Sequence, residues 1–417
     1  MVSLLRWEPL RWSLAVVCAG LIAGLAGIFL TLVTRAVEVV LWGTWDVRAL
    51  AGAVATVGMW PRAAIVFGAA VLGALVWFLL GVFACSPVPL GTVVKGARMP
   101  LGRTVIHTVT QTVIVAAGVS VGKEVAPREL AASGMAAVSA RLGYTGQSRR
   151  QLIAAAAGAG LAAVYAVPLA GCAFAVEALA GRRSVRAVLS AAAASAVAVT
   201  AASFVVGWEP YYVVPDVPLS WPLIAWAPVA GVLIGGCAML FSSALRRISA
   251  RAARRRPVRV LVLVPLAGAC VACASLWFPE VLGNGHSLAQ MAVSATGPVS
   301  LAVIGGFLTL ATVKALLTLG LIGAGAWGGV LTPSIAVGAA LGVACGGVWM
   351  VLFPGQSWAG FACVGAAVFL AVVQRTPVTA VLLVAEFGHV FGAVLIPVVL
   401  AVATAQVMRL VVERRRR

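Results

Sequence analysis

Long apolar runs, separated by short polar stretches or by Gly and Pro, cover almost the whole chain. They fall at about 13–33, 63–84, 104–121, 125–140, 151–179, 186–206, 222–245, 258–278, 298–322, 330–353, 359–373, 378–388 and 391–412. A bilayer span needs about 20 apolar residues, so several runs are full spans and several are too short. The run from Leu14 to Val33 follows Arg6 and Arg11, as the core of a signal peptide would, but it is too long for one and reads as a first span. Uneven lengths with Gly and Pro punctuation do not describe a bundle of full-length helices. They describe an all-α polytopic membrane protein with discontinuous helices, as in transporter folds.

Composition sharpens this. The 417 residues are 62% hydrophobic and 10% charged, against about 25% charged in soluble domains. Mean hydropathy is +1.08. The length allows roughly ten to fourteen spans or partial spans. Net charge is +19, from 30 Lys and Arg against 11 Asp and Glu. In a soluble protein that would suggest nucleic acid. Here the arginines gather at the ends of apolar runs: Arg6 and Arg11; Arg182, Arg183 and Arg186; Arg246 to Arg259; Arg414 to Arg417. That is the positive-inside pattern, which predicts a multi-pass cell-membrane protein with both termini in the cytoplasm and no nucleic-acid partner. The loop "GWEPYYVVPDVPLSWP" (207–222) has no Lys or Arg and carries Glu209 and Asp216. It is expected outside, with Trp208, Tyr211, Tyr212 and Trp221 at the membrane interface.

Two ordered landmarks repeat. A Gly-x-x-x-x-Pro break occurs at Gly122 to Pro127 and again at Gly328 to Pro333. Further on, a Pro precedes a Glu by nine residues, at Pro168 and Glu177 and again at Pro377 and Glu386. The spacing between copies is 206 to 209 residues, half the chain. This predicts two homologous repeats, 1–206 and 207–417, the second ending in a short basic tail, 413–417. With the acidic loop outside between them, the repeats are inverted, and a substrate site is expected near the bilayer midplane where broken helices meet.

The stretch "GKEVAP" (122–127) is the chemical focus. Glu124 is a carboxylate among apolar residues at a helix break, and an ionisable residue at membrane depth is by default functional. A membrane-edge Glu paired with Lys123 or Arg128 is the alternative. Broken helices also present N-termini, whose N–H groups and dipole favour anions. Candidate breaks are "CSPVPLG" (85–91), "GKEVAP", "GAWGGVLTPS" (325–334) and "GNGHS" (283–287). Ser86 has N-cap chemistry and a hydroxyl able to donate to an anion, and the N–H groups of Val330 and Leu331 precede the Pro333 break. Each break alone reads better as a capped turn. Together, in a basic chain poor in acids, they point to an anion; a cation path would need carboxylates or carbonyl rings.

These residues resemble the CLC family of chloride channels and proton/chloride antiporters, over about residues 13 to 410. "GKEVAP" is similar to that family's Gly-Lys/Arg-Glu-Gly-Pro motif, and "GGVLTP" to its Gly-x-Phe-x-Pro motif with Leu331 in place of Phe. "CSPVP" is similar to Gly-Ser-Gly-Ile-Pro, keeping Ser86 and Pro89. "AAAAGAGLAAVYAVPLAGCAFAVEAL" (154–179), "GNGHSL" and "VVQRTPVTAVLLVAEF" also fit. The resemblance implies a homodimer with a separate pore in each subunit. It implies anion coordination by Ser86 and the N–H groups of Val330 and Leu331, positive potential from Lys123, and Glu124 as the gate. Glu177 and Glu386 become structural acids. Three departures bear on mechanism. The gate motif has Val125-Ala126 where the family has one Gly. Ala178 stands where antiporters usually carry the inner proton-relay Glu. The family's pore tyrosine has no counterpart, the four Tyr being 144, 165, 211 and 212. The expected function is passive movement of chloride or related small anions. Proton-coupled antiport and a fluoride-selective variant are the alternatives.

Other residues receive plainer readings. Glu129 is expected to pair with Arg128. Lys314 either attracts anions or pairs with a carboxylate across the halves. His107, His286 and His389 read as helix-end polar residues, with no metal set and no cofactor motif. Cys270 and Cys273 have metal or redox spacing but lie in a continuous apolar run, where small buried core residues are the expectation. Thr318 and Thr332 either line a path or pack helices. A membrane-embedded enzyme using Glu124 would need a second catalytic group, and no such constellation is visible.

Overall fold

The computed structural model describes residues 2–415 except 84–87, 95, 98 and 182–183, with backbone alone at 2–7. Helices dominate, and the β-structure among the described residues is a single bridge, Gly122 with Gly329. In chain order the helices are α1 (Val2–Trp42), α2 (Leu50–Thr56), α3 (Met59–Phe83), α4 (Leu90–Val94), α5 (Leu101–Ala116), α6 (Val125–Arg141), α7 (Gly146–Tyr165) and α8 (Pro168–Phe174). A π-helical turn (Ala175–Leu179) follows, then α9 (Val185–Val206), α10 (Trp221–Ala252), α11 (Val260–Ser275), α12 (His286–Val293) and α13 (Leu301–Ala324). The chain ends with α14 (Leu331–Leu352), α15 (Trp358–Gln374), α16 (Pro377–Gly388) and α17 (Leu395–Arg415). Among the described residues, eight helices are long and apolar enough to cross a membrane.

Local chemistry sets many of these ends. Ser184, Ser220 and Ser300 each accept a hydrogen bond from the N–H three residues on, capping α9, α10 and α13; such caps contribute about 1 kcal/mol each. The run 151–179 is broken at one point. Ala166 takes the left-handed conformation (φ 54°), and Pro168 then starts α8. Proline's ring disfavours helical backbone in the residue before it, so Val167 is not helical.

The chain forms two compact units. The first comprises residues 1–34, 79–112 and 124–209; the second comprises 35–78, 113–123 and 210–417. In the first, Gly20 and Gly24 of α1 lie against Ala194 and Ala198 of α9, and Gly27 against Ala163 of α7, with no room for a Cβ. In the second, Gly338 of α14 and Gly365 of α15 face each other's backbone, while Trp226 of α10 packs edge-on to Phe361 of α15 at 5.7 Å. Small residues bring backbones together, the packing that works where lipid supplies no hydrophobic drive between helices. Large apolar side chains such as Leu25, Phe204 and Leu240 point outward instead.

Candidate functional site

In the second unit, a loop follows α5 and is held at three points. Gly122 and Gly329 exchange both N–H···O bonds, at 2.8 and 2.7 Å. A Cβ on Gly328 would strike Val121, so glycine allows the close approach. Lys314 of α13 is fully buried, and its Nζ donates to Ser120 Oγ at 2.9 Å, Val281 O at 2.9 Å and Gly283 O at 2.6 Å. Ser120 Oγ in turn donates to Val281 O at 3.1 Å, and Thr318 Oγ1 to Ser120 O at 3.1 Å. These three oxygens around the ammonium are neutral. Through these contacts Lys314 ties the loop to the stretch before α12. Thr318 belongs to the same fastening.

The loop leads directly into Lys123 and Glu124. Lys123 lines a cavity of about 110 Å³ together with Glu38, Glu280, Asn284 and His286, all of the second unit. Immediately after Gly329, Val330 caps α14 and Leu331 is its first residue, only 1% exposed. Pro333 sits in the first turn, where its missing N–H breaks no helical bond. The positive end of the α14 dipole lies here.

In the first unit, Glu124 is the N-cap residue of α6 and has no exposed surface. Pro127 does not end a helix; it occupies the first turn of α6, as Pro333 does in α14. The Nε of Arg128 donates to the Glu124 carbonyl at 2.6 Å, and its guanidinium lies 4.8 Å from the Phe174 ring. Glu129 acts on the charge of its neighbour Arg128, as expected, and also faces another helix. Its Oε2 lies 3.2 Å from Nε2 of His107, with both side chains almost wholly buried. His107 is accordingly mid-helix on α5, not at a helix end. The pairing joins residues 22 apart in sequence and on separate helices, which no local pattern reveals.

The remaining expectations divide. Ser86 lies outside the described residues, as do Arg182, Arg183, Arg416 and Arg417. Glu177 is half-buried in the π-helical turn with Ala178 exposed beside it, and Glu386 is buried on α16. Trp208 and Trp221 are exposed, and Tyr212 is 4% exposed. It stacks on His286 at 5.2 Å and meets Phe387 edge-on at 5.6 Å, while its N–H donates to Phe387 O. Tyr211 also turns inward, its hydroxyl accepting from Asn284 Nδ2 at 3.0 Å and its carbonyl 3.0 Å from His286 Nε2. Cys270 and Cys273 are exposed on α11 rather than buried, because an apolar run in a membrane protein has a lipid-facing side. His286 begins α12, His389 ends α16 in the left-handed region, and Thr332 is buried at the start of α14.

The family model described as "Voltage gated chloride channel" matches residues 87–409. Curated relatives include the "Voltage-gated ClC-type chloride channel ClcB" of Salmonella dublin, 29% identical over 69% of both chains. Another is the "Putative chloride channel protein ClcB-like" of Ralstonia nicotianae, 29% identical over 77% of this chain and 74% of its own. Among solved structures, a slow cyanobacterial Cl⁻/H⁺ antiporter matches with a TM-score of 0.80 at 22% identity, covering 95% of this chain and 93% of that one. A CLC-type fluoride/proton antiporter matches with a TM-score of 0.66 at 22% identity over 96% of both chains. The residues that carry helix breaks and buried charge thus sit within a shared fold, and this multi-pass membrane protein belongs to the CLC, or voltage gated chloride channel, family of anion transporters.

Proposed function

We propose that this chain passes chloride or a related small anion across the cell membrane, without obligatory proton exchange, through a path gated by Glu124. The observation that supports it most is the complete burial of the Glu124 carboxylate at the start of α6. An ionised carboxylate is costly to bury unless favourable groups receive it, and a helix N-terminus is such a place. Ionised, Glu124 competes with the transported anion. Protonated, it loses its attraction for N–H groups and yields. The N–H groups of Val330 and Leu331, with Ser86, form the anion site in this reading, and Lys123 raises the local potential. Glu177 and Glu386 hold structure. The protein acts as a homodimer with a path in each subunit, both termini cytoplasmic, and residues 1–206 and 207–417 are inverted repeats.

The passive reading is favoured by Ala178, whose methyl group carries no proton. A second reading, proton-coupled antiport, is favoured by the two antiporter structures that share the fold. The fluoride-selective variant is distinguished by the anion permeability order. The test uses purified protein in liposomes with a chloride gradient and no proton gradient, following internal pH and chloride together. Chloride release without stoichiometric proton movement is expected. Uphill proton movement in fixed ratio would establish antiport. In the same assay Glu124→Gln, which resembles the protonated state, is expected to alter flux lastingly and remove its pH dependence; unchanged flux and pH response would overturn the gate.

A further inference from the structure

Toward their C-terminal ends, α10, α15 and α17 of the second unit line a recess of about 30 Å³. Three arginines face it, Arg246, Arg375 and Arg409, against one carboxylate, Glu413. Arg246 Nη1 donates to Ser242 Oγ at 2.7 Å and its Nη2 to Ser243 Oγ at 3.2 Å. Arg375 Nη2 donates to Glu413 Oε1 at 2.6 Å. Arg409 differs. Its Nε is buried and has no hydrogen-bond partner among the described residues, and one turn earlier on α17 both amide atoms of Gln406 are buried and unpartnered too. We propose that this recess binds an anionic phosphate group, carried by a phospholipid headgroup or by a soluble phosphate.

Three guanidinium groups against one carboxylate leave the lining with an excess of positive charge. The planar guanidinium fork matches two phosphate oxygens at once. A recess of this size takes about two water-sized groups, which is what the free oxygens of a phosphodiester present. Arginines near helix C-termini also complement the helix dipole, an effect that fades within the last turn. That suffices for Arg375, which caps α15, and the serines of its own helix satisfy Arg246. It leaves out Arg409, which lies six residues before the end of α17 and keeps a buried N–H without an acceptor, a disfavoured state. The surroundings favour a lipid as the source. Leu240 of α10 and Leu410 of α17, next in sequence to residues of the lining, are exposed apolar side chains, and basic pockets between spanning helices receive anionic headgroups. Glu413 opposes an incoming anion, but its pair with Arg375 is well exposed, hence weak, and yields to a phosphate. Lys123, Glu124, Val330 and Leu331 are not among the described residues of the lining, so binding here does not depend on how the proposed gate behaves.

The test titrates the purified full-length protein, in neutral detergent free of phosphate, with phosphatidylglycerol, phosphatidylcholine or inorganic phosphate, and reads each affinity by thermophoresis. Phosphatidylglycerol is expected to bind about tenfold tighter than phosphatidylcholine, whose own choline neutralises its phosphate. Arg409→Gln should weaken phosphatidylglycerol about tenfold. Glu413→Gln, which removes the opposing charge and frees Arg375, should strengthen it about threefold. Arg254→Gln removes an exposed arginine outside the lining and should leave the affinity unchanged; a loss as large as that of Arg409→Gln would mean that net charge alone draws the lipid, and would overturn the site. A lipid preference lost in Arg409→Gln, without competition from inorganic phosphate, assigns the recess to the headgroup. Inorganic phosphate binding lost in that variant, with no preference between the lipids, assigns it to a soluble phosphate, and competition between the two shows one site open to both. If neither probe distinguishes the wild type from Arg409→Gln, the proposal is overturned. If Arg409→Gln fails to fold, Arg246→Gln, at an exposed position, must show the same loss.

Discussion

Helices α6 and α14 begin alike and are equipped differently. Each has a cap residue, Glu124 or Val330, followed by Pro as the third helical residue, Pro127 or Pro333. Downstream, α7 ends at left-handed Ala166 (φ 54°) before Pro168, and α15 ends at left-handed Arg375 (φ 60°) before Pro377. The backbone is thus written twice. The charges are not: α6 buries Arg128 and Glu129 behind Glu124, while α14 and α15 are free of ionisable side chains apart from Cys345 and Cys363. Both helix starts offer a fixed dipole end. Only the first carries a carboxylate at its start, which in the proposed reading is the group a proton switches, with the α14 start a constant attraction.

The largest effects should come from breaking what the two regions share. A side chain on Gly160 of α7 would meet the Pro127 carbonyl, and one on Gly365 of α15 the Gly338 carbonyl. Gly160→Leu and Gly365→Leu should each cost 3 kcal/mol or more and yield no monodisperse protein on size exclusion; tolerance of one alone would show that the two crossings are not equivalent. Next comes Lys314→Met, which leaves three buried oxygens without their common donor. A loss of about 3 kcal/mol is expected, read as a lower unfolding midpoint in detergent, where Glu124→Gln by contrast should shift flux far more than stability. The smallest effect tests the shared breaks. Ala166→Gly should stabilise by about 1 kcal/mol, the approximate penalty for a non-glycine residue in the left-handed region. Arg375→Gly should gain less, because it also loses an exposed ion pair with Glu413. A fall in unfolding midpoint for Ala166→Gly would mean its methyl group packs more than its backbone strains.

Much of this architecture is legible in the apolar pattern. The runs at 186–206, 222–245, 298–322 and 330–353 become α9, α10, α13 and α14 with ends moved by a few residues, because Ser caps and apolar length act locally. The short α2 is missed, having too few apolar residues to stand out. The helix breaks are legible because Pro and Gly act on their own neighbours. Partners are not. Lys314 is received by carbonyl oxygens, which every residue has and no sequence distinguishes. His107 meets Glu129 only through the packing of two helices. Tyr212 joins a ring stack that forms only once α12 and α16 are in place.

The Gly122–Gly329 exchange has a consequence in time. Two irregular loops, each of which alone would open readily to solvent, act as splints for one another, so deuterium uptake at both amides should be slow, as in a helix interior. Because the splint lies two residues before Glu124 and one before Val330 along the chain, it steadies the backbone entering each helix start.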